Sequence, residues 1–139
     1  MDLWFSEMHT PDVKLSIRID RQIYSGESNY QRIDIFDSVE FGRILTLDGV
    51  IMLTEKDEFI YHEMITHIPM AVHPRVRRVL VIGAGDGGTL RELVRYPEIE
   101  QIDLVEIDRE VIEVSKAHLP FVATAFDDPR LSLHIGDGL

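Results

Sequence analysis

The run Val79-Leu80-Val81-Ile82, followed at once by Gly83-Ala84-Gly85-Asp86-Gly87-Gly88, constrains this chain more than any other feature. An unbroken apolar run of that length predicts a parallel strand covered on both faces. Glycines 83, 85 and 88 satisfy G-x-G-x-x-G, and Leu90, Leu93 and Val94 then recur at helical spacing. A strand, a turn of small residues and a helix in this order let a ligand lie against backbone at the end of the strand. A second apolar run, Ile102 to Glu106, leads to Asp108 as a helix cap and to Val111, Val114 and His118 at helical spacing. A third, Leu131 to Ile135, is closed by Gly136-Asp137-Gly138. Strand, helix, strand, helix, strand predicts an α/β unit with a right-handed, Rossmann-like parallel sheet. Three strands leave one side of such a sheet without its usual cover, so the chain is expected to be part of a larger domain or to be completed by something else.

The first third of the chain follows a different period. Val13, Leu15, Ile17 and Ile19 alternate with Lys14, Ser16 and Arg18, as in a half-buried strand. Gly26, Ser28 and Asn29 read as a loop, and Tyr30 to Asp37 and Phe41 to Leu47 as two further strands. Asp48-Gly49, between Leu47 and Val50-Ile51-Met52-Leu53, predicts a type I′ hairpin, whose two central positions both need positive φ. Residues 1–54 are thus expected to form a small antiparallel β-domain, and residues 55–139 the first half of the parallel domain. A small sheet of this kind needs a helix or another subunit on its apolar face. Between the two regions, Thr54-Glu55-Lys56-Asp57 resembles a helix start, with Tyr61, Ile65, Ile68 and Val72 as the expected core stripe. On that spacing Tyr61 is a core residue and His62 a flank residue. Pro69 is expected to kink or tighten the helix and His73-Pro74 to end it.

Charge and composition exclude several functions. The net charge of −11 opposes binding to nucleic acid phosphates or anionic lipid, but does not oppose a cationic ligand. With no cysteine, there is no disulfide scaffold, thiolate metal site or cysteine nucleophile. The first residues lack the basic head and apolar run of a secretory signal. No segment approaches the roughly 18 apolar residues of a membrane span, so a soluble, cytoplasmic protein is expected. His9, His67, His73, His118 and His134 show no ligand spacing with acidic partners, and no metal site is assigned.

Asp86 separates the ligands that a glycine loop can hold. A dinucleotide places its pyrophosphate against this turn, where a carboxylate would repel it. An adenosyl sulfonium reverses the sign, since its sulfur and any terminal amine are cationic. Glu106, ending the second parallel strand, is placed to accept both hydroxyls of a ribose. Asp137, after the third, is placed to accept from an adenine amino group, with Gly138 letting the base approach. Alternatively, Asp86 is simply a helix cap or first-turn acid.

Taken together, YQRIDIFDS, LDGVIMLTEKDEFIYHEM, VLVIGAGDGGTLREL, VEIDREVIEVSKAHLP and HIGDG resemble the spermidine synthases, the aminopropyltransferases of polyamine biosynthesis. The resemblance covers nearly the whole chain, with Ala84 standing where the family usually has a third glycine. It implies attack by a diamine, usually putrescine, on the aminopropyl carbon of decarboxylated S-adenosylmethionine, releasing methylthioadenosine. No separate cofactor is implied. For this chain it implies Gln31, Leu47, Gly83, Gly85, Asp86, Glu106, Asp137 and Gly138 around the adenosyl donor. Tyr61, His62 and Asp86 fall at the polyamine chain, and a homodimer or homotetramer is the implied assembly. The aspartate that deprotonates the amine belongs to a D-S-T-D-P type motif expected beyond Leu139, so no catalytic base is assigned here and these residues alone are expected to be inactive. Two alternatives stay open: a methyltransferase using S-adenosylmethionine, which shares the sheet, loop and ribose acid, and a non-catalytic oligomerisation or ligand-binding module.

Overall fold

The computed structural model describes residues 1–139, which divide into two compact units, Met1–Glu58 and Phe59–Leu139. In the first, β1 (Leu3–Thr10) and β2 (Val13–Ile19) form an antiparallel hairpin. β3 (Arg21–Glu27), β4 (Arg32–Ser38), β5 (Gly42–Leu47) and β6 (Val50–Thr54) form a four-stranded antiparallel sheet in sequence order. β4 lies inside that sheet, with Ile33 and Ile35 fully buried and Phe36 nearly so. On the same strand Asp34 is buried and accepts from Arg32 Nε at 2.7 Å and Gln22 Nε2 at 3.0 Å, so its charge has partners. The hairpin is tied to the sheet by the Ile51 N–H donating to Glu7 Oε2 at 2.8 Å and by the Phe5 and Phe36 rings, 5.2 Å apart.

The Asp48-Gly49 turn has φ of +50° and +77°, the paired positive values that a type I′ turn requires. Two strands depart from the sequence reading: β1 was not expected, and Gly26 lies inside β3 rather than in a loop. Both bear few buried side chains, and each carries a register shift, so the alternation that reveals a strand is weak in them. The outer half of the expected β2 stripe is also open, with Val13 and Leu15 exposed and only Ile17 deeply buried.

The second unit holds α1 (Glu58–Val72) apart from its first residue, and β7 (Arg78–Ile82), α2 (Gly88–Leu93), β8 (Gln101–Glu106), α3 (Arg109–His118) and β9 (Leu131–Ile135). The three strands pair in parallel in the order β7-β8-β9. This is the α/β arrangement expected, a Rossmann-like sheet of three strands preceded by a small antiparallel β-domain. Two right-handed crossovers taken in the same direction put α2 and α3 on one face. Leu90 and Leu93 of α2 accordingly pack on Ile102 and Leu104, with Val79, Val81 and Leu131 alongside. The opposite face is uncovered within residues 1–139, in line with the expectation that three strands leave one side of such a sheet without its usual cover. Leu80 and Ile82 are each 62% exposed, beside an ion pair of His134 and Asp103 at 3.1 Å.

α1 carries the largest correction. Its apolar stripe, Tyr61, Ile65, Ile68 and Val72, is exposed, and the buried positions are Glu58, His62 and Thr66. The stripe has no partner within the unit, whereas His62 finds one. α1 runs through Pro69 to Val72 and stops before His73-Pro74.

Arg130 closes the loop after α2. Its guanidinium donates to the carbonyls of Val94 at 2.8 Å, Tyr96 at 2.8 Å and Ile99 at 3.3 Å, while Asp128 holds its other edge. These carbonyls lie at and beyond the helix end, where no intrahelical donor remains. Arg130→Met keeps the stem and removes the donors, and should lower unfolding stability by about 1.5 kcal/mol in a denaturant titration.

Candidate functional site

The loop from Gly83 to Gly88 begins where β7 ends. Gly83 (φ +84°), Ala84 (+70°) and Gly87 (+91°) all take left-handed backbone, which turns the chain sharply enough to start α2. Ala84 carries a Cβ in that region at a cost of roughly 1–2 kcal/mol, the local reason that glycine suits the position better. Gly85 answers to a close approach instead. A Cβ there would stand 2.8 Å from Glu106 Oε2 and 3.1 Å from a Val111 methyl.

Glu106 is buried, and both its oxygens accept from backbone: Oε2 from the Gly85 N–H at 2.9 Å, Oε1 from the Asp108 N–H at 3.0 Å. It therefore ties the glycine loop to the start of α3. Each carboxylate oxygen has a second lone pair, so these bonds leave acceptor capacity for a pair of hydroxyls. Asp108 caps α3 as expected, accepting from the Glu110 N–H at 3.0 Å.

Asp86 lies just before α2, whose N-cap is Gly87 with no side-chain cap. Its Oδ1 accepts from the Gly88 N–H at 2.7 Å and lies 3.2 Å from His62 Nε2. Part of the helix-cap reading is thus real, but the carboxylate is also paired with an imidazole 3% exposed. Burial pushes the Asp86 carboxyl up, and the hydrogen bond and charge of His62 together with the Gly88 N–H outweigh it, so it titrates below the ordinary range. The His62 ring lies over Gly88, where a Cβ would meet it at 2.3–2.4 Å. The last glycine of the G-x-G-x-x-G pattern therefore makes room for His62.

Tyr61 is 62% exposed and stands edge-on to His62, with ring centroids 5.3 Å apart. The spacing-based assignment is reversed: His62 is inside and Tyr61 outside, because the imidazole reaches a carboxylate and a phenol can keep its hydroxyl in water. Gly138 comes onto the end of β7, its Cβ position 2.6 Å from an Ile82 methyl, while Asp137 is exposed and accepts from the Leu139 N–H at 3.1 Å. His62, Gly83, Gly85, Asp86, Glu106 and Gly138 thus gather at the carboxyl end of the parallel strands. Gln31 and Leu47 belong to the first unit. Gln31 sits half-buried in the turn before β4, bonded to Ser28 Oγ at 3.1 Å, and Leu47 ends β5 opposite Val50.

One group near the site escaped the sequence reading. His67 Nε2 lies 3.1 Å from Glu92 Oε2 and its Nδ1 2.6 Å from the Tyr96 hydroxyl. Partners 25 and 29 residues away leave no spacing signal. Glu92 is buried, which raises its pKa, but Arg95, Arg91 and His67 hold it below the ordinary range. Asp86 and Glu92 thus share a sign. A carboxyl with a depressed folded pKa contributes stability that is complete above its unfolded pKa and disappears as pH falls through the folded one. Denaturant midpoints should therefore drop on acidification below about pH 4, and removing either carboxylate should flatten that drop.

Comparison with known proteins follows the same division. The model of the spermidine synthase tetramerisation domain matches residues 3–55, and that of the spermine/spermidine synthase domain residues 58–139. The polyamine aminopropyltransferase of Alkaliphilus oremlandii is 60% identical over all 139 residues, and that of Clostridioides difficile 55%. The chain covers 49% of each of these relatives, about half their length. The crystal structure of spermidine synthase from Thermotoga maritima superposes with a TM-score of 0.95 at 47% identity, over 98% of this chain and 48% of that one. A spermidine synthase in complex with the transition state analogue AdoDATO matches equally well. A domain model matching well over half the residues, on the sheet that carries the glycine loop and Glu106, shows that this chain belongs to the spermine/spermidine synthase family.

Proposed function

We propose that this chain supplies the donor-binding half of an aminopropyltransferase of polyamine biosynthesis, which moves the aminopropyl group of decarboxylated S-adenosylmethionine to putrescine, giving spermidine and methylthioadenosine. The observation that carries the proposal is Asp86, a carboxylate kept ionised at the mouth of the glycine loop and touching His62. A negative charge there favours a ligand with a terminal ammonium and disfavours one with a carboxylate. In this reading Glu106 accepts the ribose hydroxyls, Asp137 the adenine amino group, and Gly83, Gly85 and Gly138 give the adenosyl group room. Gln31 and Leu47 are assigned to the donor as well. Tyr61 and His62 line the path of the aminopropyl and acceptor chains, with Asp86 holding an ammonium.

Attack needs an unprotonated amine, and none of residues 1–139 is assigned as the base that produces it. Residues 1–139 by themselves are proposed to bind adenosyl ligands without turnover. Exposed Leu3, Trp4, Met8, Val13 and Leu15 on the hairpin support self-association to a dimer or tetramer. No helix is long and apolar enough to cross a membrane, and the proposed setting is the cytoplasm.

Calorimetric titration with the two donors tests the proposal. Decarboxylated S-adenosylmethionine should bind at least tenfold more tightly than the intact form, a difference of about 1.4 kcal/mol. Tighter binding of the intact donor would favour methyl transfer and overturn the aminopropyl assignment.

A further inference from the structure

Two histidines of α1 reach the α2 region at separate places. His62 lies over Gly88 and beside Asp86 at the start of α2, and His67 meets Glu92 within α2 and Tyr96 just past its end. Five residues separate them, about 7.5 Å along a helix axis and about 140° around it. Two contacts so placed resist both sliding and rotation, which one contact cannot do.

Apolar packing of α1 on this region comes from Met70, near its C-terminal end and against the core of Leu90 and Leu93, and does little along the rest of the helix. Phe59, Ile60, Met64, Ile65 and Ile68 are each at least 46% exposed. The attachment of His67 is firm by contrast. Glu92 is an ionised, buried carboxylate and can only accept, so His67 donates through Nε2–H. Glu92 is itself held by Arg91 Nε at 2.9 Å and Arg95 Nη1 at 2.5 Å, and Arg91 Nη1 donates to the Phe121 carbonyl at 2.8 Å.

We propose that His67 is a positioning residue: its bonds to Glu92 and Tyr96 fix the rotation and axial register of α1 against α2, and so set where the His62 imidazole stands against Asp86. His67 has no contact with the Asp86 carboxylate and acts only through the helix. This deepens the proposed function, in which the His62–Asp86 pair meets the aminopropyl chain, but its first test needs no ligand.

Ring nitrogen resonances of His62 are compared in the unaltered chain, His67→Leu, His67→Gln and Tyr96→Phe. His67→Leu should move the His62 Nε2 resonance away from its Asp86-bonded position. His67→Gln, whose amide can donate to Glu92 and accept from Tyr96, should restore most of it, and Tyr96→Phe should fall between. An unmoved His62 resonance in a folded His67→Leu chain overturns the proposal, even if melting temperature drops. Should His67→Leu fail to fold, Tyr96→Phe, which deletes a single hydroxyl, decides in the same way. A second arm titrates both ligands: His67→Leu should weaken the decarboxylated donor about fivefold, about 1 kcal/mol, and leave methylthioadenosine, which lacks the aminopropyl chain, within about twofold. Equal weakening of the two ligands overturns the link to the aminopropyl chain. A His62 resonance that responds in a chain binding neither ligand supports the positioning role and refutes the functional reading instead.

Discussion

Asp86→Asn is expected to weaken binding of decarboxylated S-adenosylmethionine by between about tenfold and a hundredfold, the loss of a charge-assisted hydrogen bond of roughly 1.5–3 kcal/mol. The substitution is chosen for what it keeps. An asparagine oxygen can still accept from the Gly88 N–H at the position Asp86 Oδ1 now takes, so the start of α2 retains its bond. What disappears is the negative charge that a terminal ammonium would meet. The intact donor carries a carboxylate beside its amine and is repelled by the same charge, so its affinity should change little or rise. The discriminating quantity is the ratio of the two affinities, measured by calorimetry on both proteins. An unchanged ratio would mean that Asp86 serves α2 alone. Methylthioadenosine, lacking any ammonium, provides the control and should bind both proteins alike.

How much of this was legible beforehand depends on what each signal encodes. The Asp48-Gly49 turn and the loop after β7 were legible because left-handed backbone restricts residue choice, and Asp and Gly in these positions report the dihedrals directly. Ala84 shows the limit of that signal, since it takes φ of +70° with a side chain. β1 and β3 were not legible, because strands with few buried positions do not need to alternate. The error on α1 was of another kind. Helical spacing correctly grouped Tyr61, Ile65, Ile68 and Val72 on one side, but periodicity does not say which side has a neighbour. Within this chain the neighbour lies on the side of His62 and Thr66, because Asp86 and Glu92 offer acceptors for α1's two imidazoles. Tertiary pairing across more than twenty residues decided it, and no local pattern carries that information.

The same pairing makes Gly88 sensitive to a single added methyl group. Gly83→Ala and Gly88→Ala look alike in the G-x-G-x-x-G pattern but differ in cause and size. At Gly83 an added Cβ meets nothing within 4 Å, so the penalty is the left-handed backbone alone, φ +84°, roughly 1–2 kcal/mol. At Gly88, a helical residue where alanine would ordinarily be favoured, the Cβ would stand 2.3–2.4 Å from three atoms of the His62 ring. Such an overlap cannot be absorbed by a small shift of a flexible chain end, because the ring is 97% buried and bonded to Asp86. The ring must leave its place, which breaks the His62–Asp86 contact and leaves α1 held through His67 and Met70. Gly88→Ala should therefore cost about 3 kcal/mol of unfolding stability, the upper part of the range for overpacking. Denaturant titration of both variants reads the comparison directly. Equal losses would place the sensitivity of the loop in its backbone. A larger loss at Gly88, relieved when His62→Ala is added to empty the space, would place it in the imidazole that the glycine accommodates.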